Sequence, residues 1–179
     1  SAEHASRLTQ KLLTFSKSRT TSLAQLDLHK ALSDNVSLLR STIDKRISIK
    51  LDLMANPSRI HGDESLLQSA FLNLGLNASQ AIHGQGTITF STSNRHLAEA
   101  DCQNSPFDIT PGEYVRITVT DTGIGISEEH LDRIFEPFFT TKKHRGGTGL
   151  GLALSKEIID AHHGRLEVTD IAQGGTRFE

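Results

Sequence analysis

The 179-residue sequence has only one cysteine, Cys102. No disulfide can therefore form within the chain, and a thiol in a polar stretch with no His or Cys at ligand spacing reads as incidental rather than reactive. An excess of basic residues is also missing. Nineteen Lys and Arg stand against 21 Asp and Glu, a formal charge of −2, and the isoelectric point is near 6.5. Binding to a phosphate backbone needs a clustered basic surface, so nucleic acid is not expected as the main partner, and nine histidines do not change this at neutral pH. No apolar run is long enough to span a bilayer, and the N-terminus lacks a signal-peptide pattern. The expectation is a soluble, cytoplasmic segment, with membrane anchoring of a longer parent protein left open. A hydrophobic fraction of 36 % suffices for one compact domain plus an appendage, and two full domains would be crowded.

What is present starts with helical periodicity. Ala5, Leu8, Leu12 and Phe15 recur at three- and four-residue spacing within residues 2–18, an amphipathic helix that cannot bury its stripe alone. The polar run Ser16 to Ser22 reads as a linker. Asp27 to Ile43 is predicted helical, with Leu28, Ala31, Leu32, Val36, Leu39 and Ile43 on one face, and Ile47 to Leu53 alternates as a strand before a turn at Asn56-Pro57. The next helix, roughly Asp63 to His83, carries a core stripe of Leu67, Ala70, Phe71, Leu74, Ala78 and Ala81. Asn73, Asn77 and Gln80 share a second face beside it. One asparagine would be dismissed as solvated, but two stacked carboxamides on a helix rich in Leu and Ala are notable because Asn is a poor helix former. Their carbonyl oxygens suit a hard cation such as Mg²⁺.

Gly86 to Ser93 reads as a strand and residues 95–112 as a peripheral polar loop without an assigned role. Tyr114 to Thr120 is a strand leading into Asp121-Thr122-Gly123-Ile124-Gly125-Ile126, where an acidic residue and two glycines mark a place for close backbone approach to a ligand. Glu128 to Phe135 follows as a short helix. Glu136 to Arg145 has aromatic anchors and four basic groups and leads into Gly146-Gly147-Thr148-Gly149-Leu150-Gly151-Leu152, which opens a helix to about His162. Backbone N–H groups and the helix dipole at such a start can hold an anion. Arg165 to Thr169 and Gly175 to Glu179 finish as strands. Neither glycine stretch fits the common phosphate motifs: Gly147, Gly149 and Gly151 lack the dinucleotide spacing, Leu152 stands where a P-loop needs Lys, and Glu128 occupies the third glycine position of a Rossmann fingerprint.

Four boxes together carry a resemblance. They are Asp63-x-x-Leu66-Leu67-Gln68 through Asn73-Leu74-x-x-Asn77-Ala78; Asp121-x-Gly123-x-Gly125-Ile126; Ile134-Phe135-Glu136-Pro137-Phe138-Phe139-Thr140-Thr141-Lys142; and Gly147-Thr148-Gly149-Leu150-Gly151-Leu152. In this order and spacing, with His163-Gly164-Arg165-Leu166 and Gly174-Gly175-Thr176-Arg177-Phe178 behind them, the chain from about Leu23 onward resembles the catalytic and ATP-binding domain of sensor histidine kinases. That domain's superfamily includes gyrase, the Hsp90 chaperones and MutL. The resemblance implies an α/β fold, a two-layer sandwich of a mixed, largely antiparallel sheet with helices on one face and an ATP lid.

The same resemblance implies roles for residues. Asp121 would accept a hydrogen bond from adenine's exocyclic amine, which guanine cannot offer. Gly123 and Gly125 would let the backbone pass the base, and Ile126, Ala81 and Thr176 would line its pocket. Asn77, with Asn73 beside it, would orient Mg²⁺ on the phosphates of ATP. Lys142 and Arg145 would meet those phosphates from the lid, while the amides of Gly149, Leu150, Gly151 and Leu152 cradle them. Gln80, Phe139, Thr141, Gly147 and Thr148 complete the expected nucleotide-contacting set. Such positioning and charge neutralisation supply most of the catalysis in phosphoryl transfer.

There are two departures from the family pattern. Asn73 stands where the superfamily's hydrolases have a water-activating Glu, which favours transfer over hydrolysis. Gln80 stands where many histidine kinases have Lys, so one phosphate contact is weaker or replaced. The family's phosphoacceptor His is not in this sequence, since His4 lies in a context that does not match. Residues 1–19 instead resemble part of the second helix of a dimerisation and phosphotransfer hairpin, with an ordinary coiled-coil linker as the alternative, and 20–179 are expected to form the catalytic domain. The expected activity is transfer of the ATP γ-phosphoryl to a histidine outside this chain, on a hairpin of the same or a partner chain. A response-regulator receiver domain would be the next partner and the parent protein a homodimer. An ATP hydrolase of the same superfamily, or a non-catalytic nucleotide- or partner-binding module, are the alternatives.

Overall fold

The computed structural model describes residues 23–103, 109–142, 147–171 and 174–179. Its elements run β1 (Ala24–Asp27), α1 (Leu28–Thr42), β2 (Ile47–Leu53), β3 (Arg59–Gly62), α2 (Glu64–Ala81), β4 (Gly86–Leu97), α3 (Glu99–Gln103), β5 (Gly112–Asp121), α4 (Glu128–Leu131), α5 (Gly151–Ala161), β6 (Val168–Asp170) and β7 (Thr176–Phe178). The helix-like segment at residues 2–18, and with it the boundary at residue 19, lies outside the described residues.

Both long helices start on an aspartate. Asp27 accepts the N–H groups of His29 and Lys30 at 3.0 and 3.2 Å, and Asp63 accepts those of Ser65 and Leu66 at 3.0 and 3.1 Å. Each carboxylate satisfies first-turn donors that have no partner within the helix. The Ser65 hydroxyl bond is the largest cause holding the Asp63 carboxyl below its ordinary value, and the two backbone donors and His162 add to it. The predicted stripes then face inward: Leu28, Leu32 and Leu39 of α1 and Ala70 of α2 are fully buried.

β2, β4, β5, β7 and β6 lie side by side in one sheet. The β2–β4 pair is parallel and the others are antiparallel. Residue alternation along these strands sends Ile88, Phe90, Val119 and Phe178 into the core cluster, where they join apolar residues of α1, α2 and α5. This is the expected two-layer sandwich with a mixed, largely antiparallel sheet.

A separate antiparallel ribbon of β1 and β3 pairs Ala24 with Gly62 and Asp27 with Arg59. It ends at the two capping aspartates, so it sets where α1 and α2 begin. Other boundaries also differ from expectation. β4 continues to Leu97 and β5 starts at Gly112 because Arg95 pairs with Tyr114 and His96 with Glu113, and α3 occupies part of the predicted polar loop. The helix predicted to reach Phe135 stops at Leu131 and gives way to turns. No described helix is long and apolar enough to cross a membrane.

Candidate functional site

A cavity of about 690 Å³ opens between α2, the end of β5, the turns after α4 and the start of α5. From α2 it takes Asn73, Asn77, Gln80 and Ala81. These are the polar row beside the apolar stripe, and the stripe's burial aims the row along the cavity wall. Asn73 donates from its amide nitrogen to the Gly151 carbonyl at 3.4 Å, linking α2 to the first residue of α5.

The end of β5 contributes Asp121, which is 3 % exposed. It accepts the Gly123 N–H at 2.7 Å. Burial pushes its carboxyl above the ordinary value, since the charged form loses water, while the N–H groups of Gly123 and Thr176 and the Lys142 charge oppose that shift. Gly123, expected to pass the base, is not among the residues that line the cavity; it packs on the end of α2, where a Cβ would lie 2.7 Å from the carbonyl carbon and oxygen of Ala81. The next residue fastens the contact, Ile124 N–H donating to the Ala81 carbonyl at 3.1 Å. Gly125, Ile126 and Thr176 line the cavity.

The opposite wall joins the aromatic segment to the second glycine stretch. Phe138 N–H donates to the Gly149 carbonyl at 2.8 Å. Gly149 has φ 68°, and a Cβ there would lie 2.6 Å from the Phe138 carbonyl oxygen, so this position requires glycine. Gly147, Thr148, Gly149, Gly151 and Leu152 line the cavity, whereas Leu150 is 4 % exposed and turns into the core. No side-chain bond caps α5 at Leu150, leaving the positive end of an 11-residue helix at the cavity.

Phe139, Thr140, Thr141 and Lys142 close the rim. His130 meets Phe139 edge-on with ring centroids 5.5 Å apart, and the Arg133 guanidinium sits 4.6 Å from the same ring's centre. Lys142 is held along its backbone, its N–H donating to Thr140 Oγ1 at 3.0 Å and its carbonyl accepting the Gly147 N–H at 3.1 Å. Its ammonium reaches Gln80 Oε1 at 3.0 Å. Arg145 lies outside the described residues.

Sequence reasoning did not name Leu76, Ser127 and His130, and it quoted Ile134 and Phe178 without a role at the site; all five line the cavity. His130 and Arg133, three residues apart and converging on Phe139, were the one available signal. As for a cation, no group of three or more His, Cys, Asp or Glu gathers among the described residues to hold a metal unaided. Carboxamide oxygens from Asn73 and Asn77, completed by phosphate oxygens and water, are a donor set that fits Mg²⁺, which keeps waters and binds few protein ligands. A second cavity of about 240 Å³, around Ile60, Phe71, Tyr114 and His163, contains none of the predicted site residues.

The geometry can be set beside known proteins. Residues 62–179 match the family described as histidine kinase-, DNA gyrase B-, and HSP90-like ATPase. The chain is 35 % identical over 179 residues to the sensor kinase CckA of Brucella abortus (strain 2308), covering 99 % of this chain and 19 % of that protein. It spans 19 to 35 % of the length of the curated sensor kinases CckA, AtoS and ZraS. The solved catalytic domain of histidine kinase ThkA shares 26 % identity with a TM-score of 0.68, over 87 % of this chain and 91 % of that one. Full-length ShkA, solved with AMPPNP, shares 26 % identity with a TM-score of 0.76, over 98 % of this chain and 35 % of that one. The chain belongs to the histidine kinase-, DNA gyrase B- and HSP90-like ATPase family and carries its ATP-binding catalytic domain.

Proposed function

We propose that this chain is the ATP-binding half of a sensor histidine kinase and passes the γ-phosphoryl of ATP to a histidine outside it. The observation that carries the reading is the convergence on one cavity of a buried carboxylate, a row of carboxamides, a lysine and an uncapped helix start. Each has one task. The Asp121 carboxylate accepts the adenine amine, with Gly125 admitting the base and Ala81, Ile126 and Thr176 around it. The amides of Gly149 to Leu152 and the α5 dipole hold phosphate oxygens. Lys142, and Arg145 beyond it, neutralise charge as the bond to the leaving ADP lengthens. Asn77 and Asn73 would hold Mg²⁺, whose contribution is to neutralise and align the phosphates.

The acceptor is an imidazole nitrogen on a dimerisation hairpin of the same or a partner chain. The lone pair of the unprotonated ring nitrogen forms the phosphorus–nitrogen bond, the γ-phosphorus–oxygen bond breaks with its electron pair leaving on ADP, and the proton on the other ring nitrogen is released to solvent. In a homodimeric parent whose catalytic half is cytoplasmic, a receiver domain takes the phosphoryl next. Asp121 is the one carboxylate among the described residues lining the cavity, and it is already bonded to Gly123. Asn73 is an amide and cannot act as the base that a glutamate at its position would be, which favours transfer over hydrolysis.

The test is to supply ATP, Mg²⁺ and a separate hairpin carrying the acceptor histidine. Labelled phosphoryl on the hairpin is the expected result. Steady phosphate release without transfer would identify a hydrolase, and nucleotide binding with neither activity a regulatory module.

A further inference from the structure

We infer that Gln80 is a positioning residue whose side-chain carbonyl holds the Lys142 ammonium over the cavity, where the phosphates of a bound nucleotide would meet it. The inference rests on the nucleotide reading of the cavity and assigns Gln80 a role in it other than direct contact. The two side chains come from elements 62 residues apart in sequence, yet Lys142 Nζ donates to Gln80 Oε1 at 3.0 Å. Gln80 lies one turn beyond Asn77 on the polar face of α2, and both line the cavity with Lys142. The Lys142 backbone is fixed on both sides, by Thr140 Oγ1 and by the Gly147 N–H, so only its side chain is left to be aimed. The Lys142 charge also acts on Asp121, opposing the rise that burial gives its carboxyl.

The chemistry of the holder matters. An amide carbonyl is a neutral acceptor, so it takes one of the three N–H donors of an ammonium without cancelling the charge. A carboxylate in the same place would neutralise the lysine and repel the phosphates. A lysine side chain otherwise loses substantial rotamer freedom when it engages a ligand, and a preformed contact lowers that cost.

The test uses this chain with AMPPNP and Mg²⁺ by calorimetry and with adenosine by ligand-observed NMR. Loss of one neutral-acceptor bond predicts that Gln80→Ala and the bulkier Gln80→Met each weaken AMPPNP binding about fivefold and leave adenosine unchanged. Lys142→Gln should weaken AMPPNP about tenfold or more, again sparing adenosine. Because Gln80 acts through Lys142, the double variant Gln80→Ala/Lys142→Gln should be no weaker than Lys142→Gln alone. Gln80→Glu should be worse than Gln80→Ala. Additive losses, tighter binding by Gln80→Ala, or parallel loss of adenosine would each overturn the pairing while leaving the nucleotide site standing. Failure of the unaltered chain to bind AMPPNP at all would overturn the site reading and this inference together.

Discussion

Asp121→Asn separates what the carboxylate does for a ligand from what it costs the fold. Oδ1 accepts the Gly123 N–H at 2.7 Å. An asparagine that keeps this bond turns its NH₂ into the place of Oδ2, so a donor faces the adenine amine, which is also a donor. A hydrogen bond to a charged group contributes about 1.5–3 kcal/mol, so ATP affinity should fall roughly ten- to hundredfold. The fold should respond in the opposite sense. Burial raises the Asp121 pKa above its ordinary 3.8, so the native chain binds more protons than the unfolded one just above that value. Stability contributed by this group therefore falls as pH rises from about 3.8 through the raised folded-state pKa. The neutral amide removes that loss, so the variant should gain on the parent as pH rises from 4 to 7, against a pH-independent cost for the acceptor its NH₂ denies the Thr176 N–H. Calorimetric titration with ATP gives the first quantity. Urea midpoints of both chains between pH 4 and 7 give the second, read as the difference between the two curves so that other carboxylates cancel. Unchanged ATP affinity would refute the adenine assignment, and a stability difference that does not vary with pH would refute the burial argument.

Asn77→Ala should leave the fold intact, because Ala is the better helix former and Asn77 is only half-buried. Nucleotide affinity should then lose its dependence on Mg²⁺, and an unchanged dependence would count against ligation by Asn77. Gly123→Ala places a methyl 2.7 Å from the Ala81 carbonyl. Overpacking against backbone costs about 1–3 kcal/mol, several degrees of melting temperature in a chain of this length, and an unaltered melting curve would show that the loop yields freely. His162 Nε2 accepts the Asp63 N–H at 2.9 Å. His162→Leu keeps much of the bulk but strands that donor, and should lower stability by about 1–3 kcal/mol in urea denaturation; no change would mean the N–H finds another acceptor.

The sequence showed best what is local. Apolar residues at helical spacing marked α1 and α2, and aspartates stood at both of their starts. The β1–β3 ribbon escaped notice because four-residue strands hold too few alternations to register a period, and their pairing joins Ala24 to Gly62. The outer half of β4 escaped for a different reason. Beyond Ser93 the strand reads Asn-Arg-His, polar on both faces, so backbone pairing with β5 sustains it where no apolar stripe does. At the site, the boxes named the residue types, but the bonds that assemble them are long-range and leave no local trace. Two of these bonds also explain how the site is framed. His162, just past the end of α5, receives the Asp63 N–H at the start of α2, and its other ring nitrogen lies 2.6 Å from the Ile158 carbonyl. Because the Asp63 N–H can only donate, Nε2 must accept, which leaves the proton on Nδ1 to be given to Ile158. Asn73 meets Gly151 at the other end of α5. The ten steps from Asp63 to Asn73 rise about 15 Å and the eleven from Gly151 to His162 about 16–17 Å, so the two antiparallel segments are fastened at both ends over similar lengths. The carboxamide row and the glycine-rich helix start thus belong to one clamped pair of helices, and loosening the distant His162–Asp63 bond should disturb phosphate-binding geometry as well as stability.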